Sequence, residues 1–280
     1  MSHLVAYFGN EPDNLNCALF SARNALHTQA PVEGWALGFV QGGDVLLQKR
    51  PRGNAAEVDF YALSRDLKAD ALIGRVGLGS DENRDVENAD PFRFRSWLFG
   101  SIGVVPAFES VRAQALAATP DFLRRNIHGK SAGEHLFHLF LANLHQIGLL
   151  DTPSPDPTRV DGALRQAIHV VTDLLAQSGH PVNEGQGLEL TAVATNSRCL
   201  VAVNNAHAMQ YLAVDGIADC PVCHDRLPSH GDSRRISHEG LRAVVIEANP
   251  TTLGRAGWRK VPDRASLVVG SDRLPHITNT

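Results

Sequence analysis

Apolar runs of strand length lie near both ends of this chain, and helical patterns occupy its middle. This order limits the fold more than any single motif does. Residues 2–9 form the first such run, and GWALGFVQGGDVLLQKRP forms two runs around Gly42-Gly43-Asp44, which is typical of a hairpin. The stretches ALIGRVG and WLFGSIGVV are two further predicted strands.

Helical periodicity begins after Pro12, where apolar residues recur at spacings of four, three and four. The residues on this face are Leu15, Leu19, Ala22 and Leu26. A short helix is predicted near residues 56–67. Two longer amphipathic helices are predicted from about Ser131 to Ile147 and from about Arg159 to Gln177, and the proline-rich stretch DTPSPDPT separates them.

Strand-like runs return in the last third of the chain as LELTAVATN, CLVAVNN, MQYLAV, LRAVVIEAN, WRKV and SLVVG. Strands followed by helices and again by strands favour a layered α+β domain over an alternating α/β fold. The sequence contains neither a glycine-rich dinucleotide motif nor a P-loop. We therefore predict one domain over residues 1–280, with a polar, irregular insertion at about 219–240.

Composition and charge exclude several classes of partner. The 280 residues are 43% hydrophobic, which is enough for a large core, and the formal net charge is -4. Lysine and arginine are scattered, so we expect no binding of nucleic acid or of a membrane surface. The chain shows no basic leader, and no apolar run reaches the ~18 residues of a membrane span. A cytoplasmic protein that binds small molecules or other proteins is expected.

Ser2 is the first candidate catalytic residue. The initiator Met is normally removed when a small residue follows it, and Ser2 would then carry both a hydroxyl and a free α-amine. Such a residue can serve as nucleophile and base at once. The alternative is that Ser2 is only a small second residue that permits removal of Met.

The CPVCH stretch supplies candidate metal ligands. Thiolate and imidazole groups at this spacing suit tetrahedral zinc, so a structural zinc site is predicted from Cys220 and Cys223 with one or two of His224, His230 and His238. The same residues match a c-type haem attachment motif. The lack of an export signal argues against haem attachment. An incidental pair of thiols is the other explanation. No other cofactor is predicted.

Seven short segments follow one another in an informative order. They are Met1-Ser2, Gly34-Trp35-Ala36, Ile73-Gly74-Arg75, Asn88-Ala89-Asp90-Pro91-Phe92, Trp97-Leu98-Phe99-Gly100-Ser101-Ile102-Gly103, Ser131-Ala132-Gly133-Glu134 and Trp258. In this order they resemble the motifs of the class II glutamine amidotransferases, which have the N-terminal-nucleophile hydrolase fold. The resemblance covers nearly the whole chain. It implies a four-layer α/β/β/α sandwich of two largely antiparallel sheets.

The resemblance also implies a role for each matched position. In such a family an N-terminal Cys attacks the side-chain amide of glutamine, and an Asn side chain and the N–H of the next Gly stabilise the oxyanion. An Arg holds the substrate carboxylate and an Asp holds its ammonium group. The matched positions here are Ser2, Ile102, Gly103, Arg75 and Ala132. Ile102 has no hydrogen-bond donor, and losing one oxyanion donor typically lowers turnover by about 100- to 1,000-fold.

Three hypotheses follow. In the first, the active site is degenerate, and the protein binds a small carboxylated ligand at Arg75 or a protein partner. In the second, Ser2 hydrolyses an amide other than glutamine, and Ile102 and Ala132 line an apolar pocket. In the third, the chain is an assembly scaffold that self-associates or joins another chain. Trp35 is a further candidate for ligand contact, although a tryptophan in a hairpin is also typical of a core.

Overall fold

Two antiparallel β-sheets pack face to face in the structure, which is a computed structural model. It describes residues 2–28, 31–32, 34–50, 55–77, 85–180, 188–205, 208–224 and 236–279. In this part of the chain the strands are β1 (His3–Gly9), β2 (Trp35–Gln41), β3 (Asp44–Arg50), β4 (Ala71–Val76), β5 (Phe92–Phe94), β6 (Trp97–Gly103), β7 (Leu190–Thr195), β8 (Leu200–Asn204), β9 (Met209–Ile217), β10 (His238–Ala248), β11 (Trp258–Val261), β12 (Ala265–Val269) and β13 (Pro275–Asn279). The first sheet has the order β11-β9-β10-β1-β4-β2-β3, and the second has the order β13-β12-β8-β7-β6-β5.

The predicted hairpin is confirmed as β2 and β3. Gln41 lies opposite Asp44 in the strand register, so Gly42 and Gly43 alone make the turn. Their φ angles are 61° and 89°, a left-handed conformation that glycine adopts without strain. The glycine pair therefore fixes the register of this edge of the first sheet.

The helices flank the two sheets. They are α1 (Leu15–Phe20), α2 (Phe60–Leu63), α3 (Phe108–Ala117), α4 (Asp121–Arg124), α5 (Ala132–Gln146), α6 (Pro157–Gln177) and α7 (Pro221–His224). The two long predicted helices correspond to α5 and α6, and each starts at a side-chain cap. Ser131 Oγ accepts a hydrogen bond from the backbone of Glu134, and Asp156 accepts one from the backbone of Thr158. No helix of the described residues is both long and apolar enough to cross a bilayer.

Three apolar clusters separate four layers. One lies between the sheets and contains Leu4 of β1 and Val193 of β7. A second lies between the second sheet and α3, α5 and α6, and a third lies between the first sheet and α1 and α2. This arrangement confirms the predicted α/β/β/α sandwich, because each sheet buries one face against the other sheet and one face against helices.

Two predicted helices are shorter than their patterns indicate. The helix after Pro12 becomes α1, which ends at Phe20, and the chain continues to Leu26 in tight turns. The predicted helix near 56–67 becomes α2 alone. Its first residues are extended instead, because Ala56 pairs with Val32 as an isolated bridge. In both regions contacts with neighbouring segments override the local helical pattern.

Some elements carry little sequence signal. Strand β13 is an edge strand whose residues are mostly exposed, and α3 buries only three residues: Phe108, Val111 and Ala115. The region predicted as an irregular insertion, about 219–240, contains α7 and the first residues of β10. Residues 225–235, with the candidate ligand His230, lie outside the described residues.

Candidate functional site

A cleft of about 550 Å³ opens at one end of the two sheets. It lies where β1 begins, where β4 and β6 end, and where α5 begins. Four candidates from the sequence line this cleft, and they are Ser2, Arg75, Gly103 and Ala132. The strand register explains their convergence, since Leu4 near the start of β1 lies opposite Arg75 near the end of β4.

Ser2 is held at the edge of the cleft by its own backbone. Its carbonyl oxygen accepts a hydrogen bond of 2.7 Å from Nδ2 of Asn249, the residue after β10. Asn249 has a φ of 57°, a left-handed conformation that asparagine tolerates better than most residues. The contact follows from the register of β1 on β10, which sets Leu4 opposite Ala248.

Arg75 joins the two sheets beneath the cleft. It belongs to β4 of the first sheet, and its Nε donates a hydrogen bond of 2.8 Å to the carbonyl oxygen of Ser101 in β6 of the second sheet. Its Nη1 donates to the carbonyl oxygens of Val76 and Gly77, at 2.8 and 3.3 Å. Among the described residues, no acceptor is hydrogen-bonded to Nη2. That nitrogen is therefore the donor that a ligand could use.

Asp90 is the acidic partner of Arg75. Its Oδ1 lies 3.4 Å from the Arg75 Nε. Its Oδ2 accepts hydrogen bonds from the backbone N and the Oγ of Ser101, at 2.7 and 3.0 Å. Burial lowers the pKa of Arg75, and the charge of Asp90 and its hydrogen bond oppose that shift. Arg75, Asp90 and Ser101, which we call the floor triad, form one buried polar network.

Backbone hydrogen bonds fix the wall of the cleft before α5. Asn88 Oδ1 accepts from the backbone N–H groups of Lys130 and Ser131, at 2.6 and 3.1 Å. The buried carboxylate of Glu134 accepts from the N–H groups of residues 128–129. Burial raises the pKa of Glu134, and these two N–H donors oppose the rise. The side chains of Asn88, which precedes this segment in the chain, and of Glu134, which follows it, therefore hold the backbone of residues 128–131 in place.

Gly103 ends β6 in a conformation that only glycine fits. Its φ is 126°, and a Cβ built there would collide with the carbonyl oxygen of Glu189. Glu189 and Leu190 line the cleft together with Gly103. The backbone of β6 therefore runs directly against the residues that open β7, at the edge of the cleft.

Two other sequence candidates lie away from the cleft lining. Ile102 is 1% exposed and packs in the cluster between the sheets, beside Leu4 and Val193. Trp35, at the start of β2, packs on the opposite face of the first sheet in the cluster with α1. Ala132 does line the cleft, and it places a methyl group at the first residue of α5.

Sequence reasoning assigned no role to several residues that build the cleft. Asn88 and Asp90 belong to the Asn88-Ala89-Asp90-Pro91-Phe92 segment of the motif series. Local spacing does not indicate that Asn88 contacts Ser131 or that Asp90 contacts Arg75. The position of Glu134 near a helix start is indicated by the sequence. With Ser131 it forms the serine-x-x-glutamate pattern typical of a helix start.

A second group of chemically active side chains lies elsewhere. Ligand atoms of Cys17, Cys220, Cys223 and His238 all lie within 4.8 Å of one another. Two of the thiols, Cys220 and Cys223, are sequence candidates, and His238 was one of the alternative ligands. His224 lies apart from this group, with its Nε2 2.8 Å from a carboxylate oxygen of Asp219. Nothing in the local sequence of Cys17 indicates that it lies beside the CxxC motif.

No protein-family model and no curated protein matches the sequence. Two solved structures match over nearly the full length. A glutamine aminotransferase class-II domain protein from Silicibacter pomeroyi has a TM-score of 0.59 and 17% identity, over 99% of this chain and 98% of that one. A predicted glutamine amidotransferase from Pseudomonas aeruginosa has a TM-score of 0.55 and 12% identity, over 99% and 100%.

These similarities establish the class of fold. The chain has the architecture of the class II glutamine amidotransferase domains, in agreement with the resemblance of its sequence motifs. At such low identity the chemistry must be read from the cleft itself. Of the five matched positions, Ser2, Arg75, Gly103 and Ala132 line the cleft, and Ile102 lies between the sheets.

Proposed function

We propose that this protein binds a small carboxylated ligand in the cleft and does not hydrolyse glutamine. The observation that carries the proposal is the position of Ile102. Its side chain is buried among apolar residues between the sheets, so this position offers the cleft no hydrogen-bond donor. The scaffold of a glutaminase is kept, and one of the donors that glutaminase chemistry requires is missing.

Arg75 supports the binding part of the proposal. A guanidinium N–H can donate a charge-assisted hydrogen bond to a carboxylate, and Nη2 donates to no acceptor among the described residues, while Nε and Nη1 already donate to backbone carbonyls. The cleft volume of about 550 Å³ lies in the range of small-molecule sites. Lys130 lines the same cleft, where the carboxylates of Glu109 and Glu189 oppose its charge, so Arg75 is the group on which carboxylate binding depends.

Ala132 supports the loss of the original substrate. The resemblance places there an Asp that would pair with the ammonium group of glutamine, and alanine supplies no charge. A ligand that needs only its carboxylate recognised fits this cleft better than an amino acid does. We therefore expect simple carboxylates to bind at least as tightly as glutamine.

A binding assay with matched variants tests the proposal. Calorimetry with glutarate, L-glutamate, L-glutamine and acetamide should detect the carboxylates and give no signal for acetamide. Ala132→Glu places a negative charge in the cleft without touching the bonds of Arg75, and it should weaken carboxylate binding at least tenfold. Ala113→Glu, the same change on the exposed face of α3, should leave binding unchanged. Rapid ammonia release from glutamine, or no binding of any carboxylate, would refute the proposal.

A second candidate function is supported by one observation, namely that Ser2 and Gly103 line the same cleft. In this case Ser2, with a free amine, attacks an amide other than that of glutamine, and the N–H of Gly103 stabilises the oxyanion. Intact-mass measurement decides first, because retained Met1 blocks the amine. If Met1 is removed, an activated-ester probe should label Ser2, and Ser2→Ala should abolish labelling. Absence of labelling with a free Ser2 would exclude this candidate.

A further inference from the structure

Three cysteines and a histidine converge at the end of the first sheet that lies far from the cleft. Cys17 is in α1, Cys220 and Cys223 flank the start of α7, and His238 is the first residue of β10. Strand β10 runs eleven residues from His238 to Ala248, beside the cleft end of β1. At a rise of about 3.3 Å per residue, the group lies about 30 Å from the cleft.

The distances within this group match a tetrahedral metal site. Cys17 Sγ lies 3.6 Å from Cys223 Sγ, and Cys223 Sγ lies 3.3 Å from Nε2 of His238. Zinc binds thiolate at about 2.3 Å and imidazole at about 2.0–2.1 Å, so the edges of its tetrahedron measure about 3.5–3.8 Å. All four donor atoms lie within 4.8 Å of one another. Small shifts of the four side chains around one ion would bring the distances between the donor atoms to the ideal values.

The surroundings hold these donors in place. Cys220 is fully buried and Cys17 is 4% exposed, and Val222 packs with them. The backbone N–H of Cys220 donates to the carbonyl oxygen of Ile236, which precedes β10, at 2.8 Å. The CxxC turn is thereby attached to the segment that carries His238. Three thiols and an imidazole lie in one partly buried group, and a single disulfide would use only two of the thiols.

We propose that Cys17, Cys220, Cys223 and His238 bind one zinc ion. Binding converts each thiol to a thiolate and releases one proton from each cysteine, while His238 binds as neutral imidazole through Nε2. Four protein ligands leave no open position, so the ion is structural. The ion connects α1 to the start of β10, and the proposal stands independently of the function proposed for the cleft.

The first test is metal content with a matched cysteine control. The full-length protein, purified without chelator from zinc-supplemented medium, should contain about one zinc ion per chain. Cys17→Ala and Cys220→Ala should each lose nearly all of it. Cys199→Ala should retain it, because Cys199 is also fully buried but lies outside the group. Equal zinc content in all variants would overturn the assignment.

A second measurement covers the case in which the variants do not fold. Wild-type protein exchanged with cobalt should show thiolate-to-cobalt charge transfer and the visible absorption of a tetrahedral ion. Zinc removal should lower the melting temperature by several degrees. An octahedral cobalt spectrum would overturn the proposal. A mass deficit that maps to a Cys17–Cys223 disulfide in protein purified under reducing conditions would do the same.

Discussion

Asp90 Oδ1 lies 3.4 Å from Nε of Arg75, and both residues are more than nine-tenths buried beneath the cleft. This pair is therefore part of the structure and not a surface salt bridge. Asp90→Asn keeps the shape and removes the charge, so it leaves the guanidinium buried without its counter-ion. We expect a loss of about 3 kcal/mol in the free energy of unfolding, measured by urea denaturation.

The control for this change is Asp121→Asn, which removes one partner of the exposed ion pair with Arg124. Solvent screens that pair, so its loss should not shift the denaturation midpoint measurably. Equal effects of the two substitutions would mean that the floor triad contributes no more than a surface pair.

Ile102 should tolerate a smaller apolar residue far better than a polar one. Ile102→Val removes one methylene and should cost about 1 kcal/mol. Ile102→Asn buries an amide among apolar side chains and should cost about 3–5 kcal/mol. Chemical denaturation of the two variants gives the comparison. Equal stability of the Asn variant and the wild type would show that this side chain can turn out of the core.

Gly103→Ala should be much more damaging than the same change at Gly148. Both glycines have positive φ, so both substitutions incur conformational strain of about 1–2 kcal/mol. At Gly148 a Cβ meets nothing within 4 Å, whereas at Gly103 it meets the carbonyl oxygen of Glu189. We expect Gly103→Ala to lose ligand binding and further stability, as measured by calorimetry and thermal melting. A similar loss in both variants would contradict the close approach of β6 and β7.

His138 should make the protein sensitive to acid. Its side chain is buried in α5, and burial lowers its pKa from 6.5 to about 4. Nδ1 donates to the carbonyl oxygen of Glu134, and Nε2 has no hydrogen-bond partner among the described residues. Between pH 6.5 and about 4 the unfolded chain binds more protons than the folded chain, so stability falls as the pH falls. The shift corresponds to about 3 kcal/mol.

His138→Phe should remove this part of the acid sensitivity. The difference in unfolding free energy between wild type and variant, measured from pH 7 to pH 4, isolates the histidine from neighbours such as Glu134 and His135. His169→Gln, on the exposed face of α6, should follow the wild-type profile. Parallel profiles for the wild type and His138→Phe would show that the imidazole is not protonated on unfolding in this range.

Elements that bury one face along their own length are predictable from the sequence. Strand β1, the hairpin and the helices α5 and α6 show their core-facing residues in local periodicity, and the glycine pair marks the hairpin turn. The order of these elements predicts a layered α+β domain, and the resemblance of the motif series implies its four-layer form. Edge strand β13 and helix α3 escape the same reasoning because they bury few residues.

The candidate sites depend on contacts that no local pattern reports. Arg75 and Ser101 lie in different sheets, and their hydrogen bond exists only once the sheets are stacked. Cys17 is 206 positions from Cys223, yet their sulfur atoms are 3.6 Å apart. The motif series identified Arg75 and Gly103 as neighbours of Ser2, while the partner that neutralises Arg75 and the wall before α5 emerge only from three-dimensional packing.

The start of β1 has a practical implication for handling the protein. Since Ser2 borders the cleft, any polypeptide fused ahead of Met1 begins at the entrance and would compete with incoming ligands. An affinity tag after β13, which is an edge strand, avoids that obstruction. Assays of the cleft should therefore use protein tagged only at its carboxyl terminus.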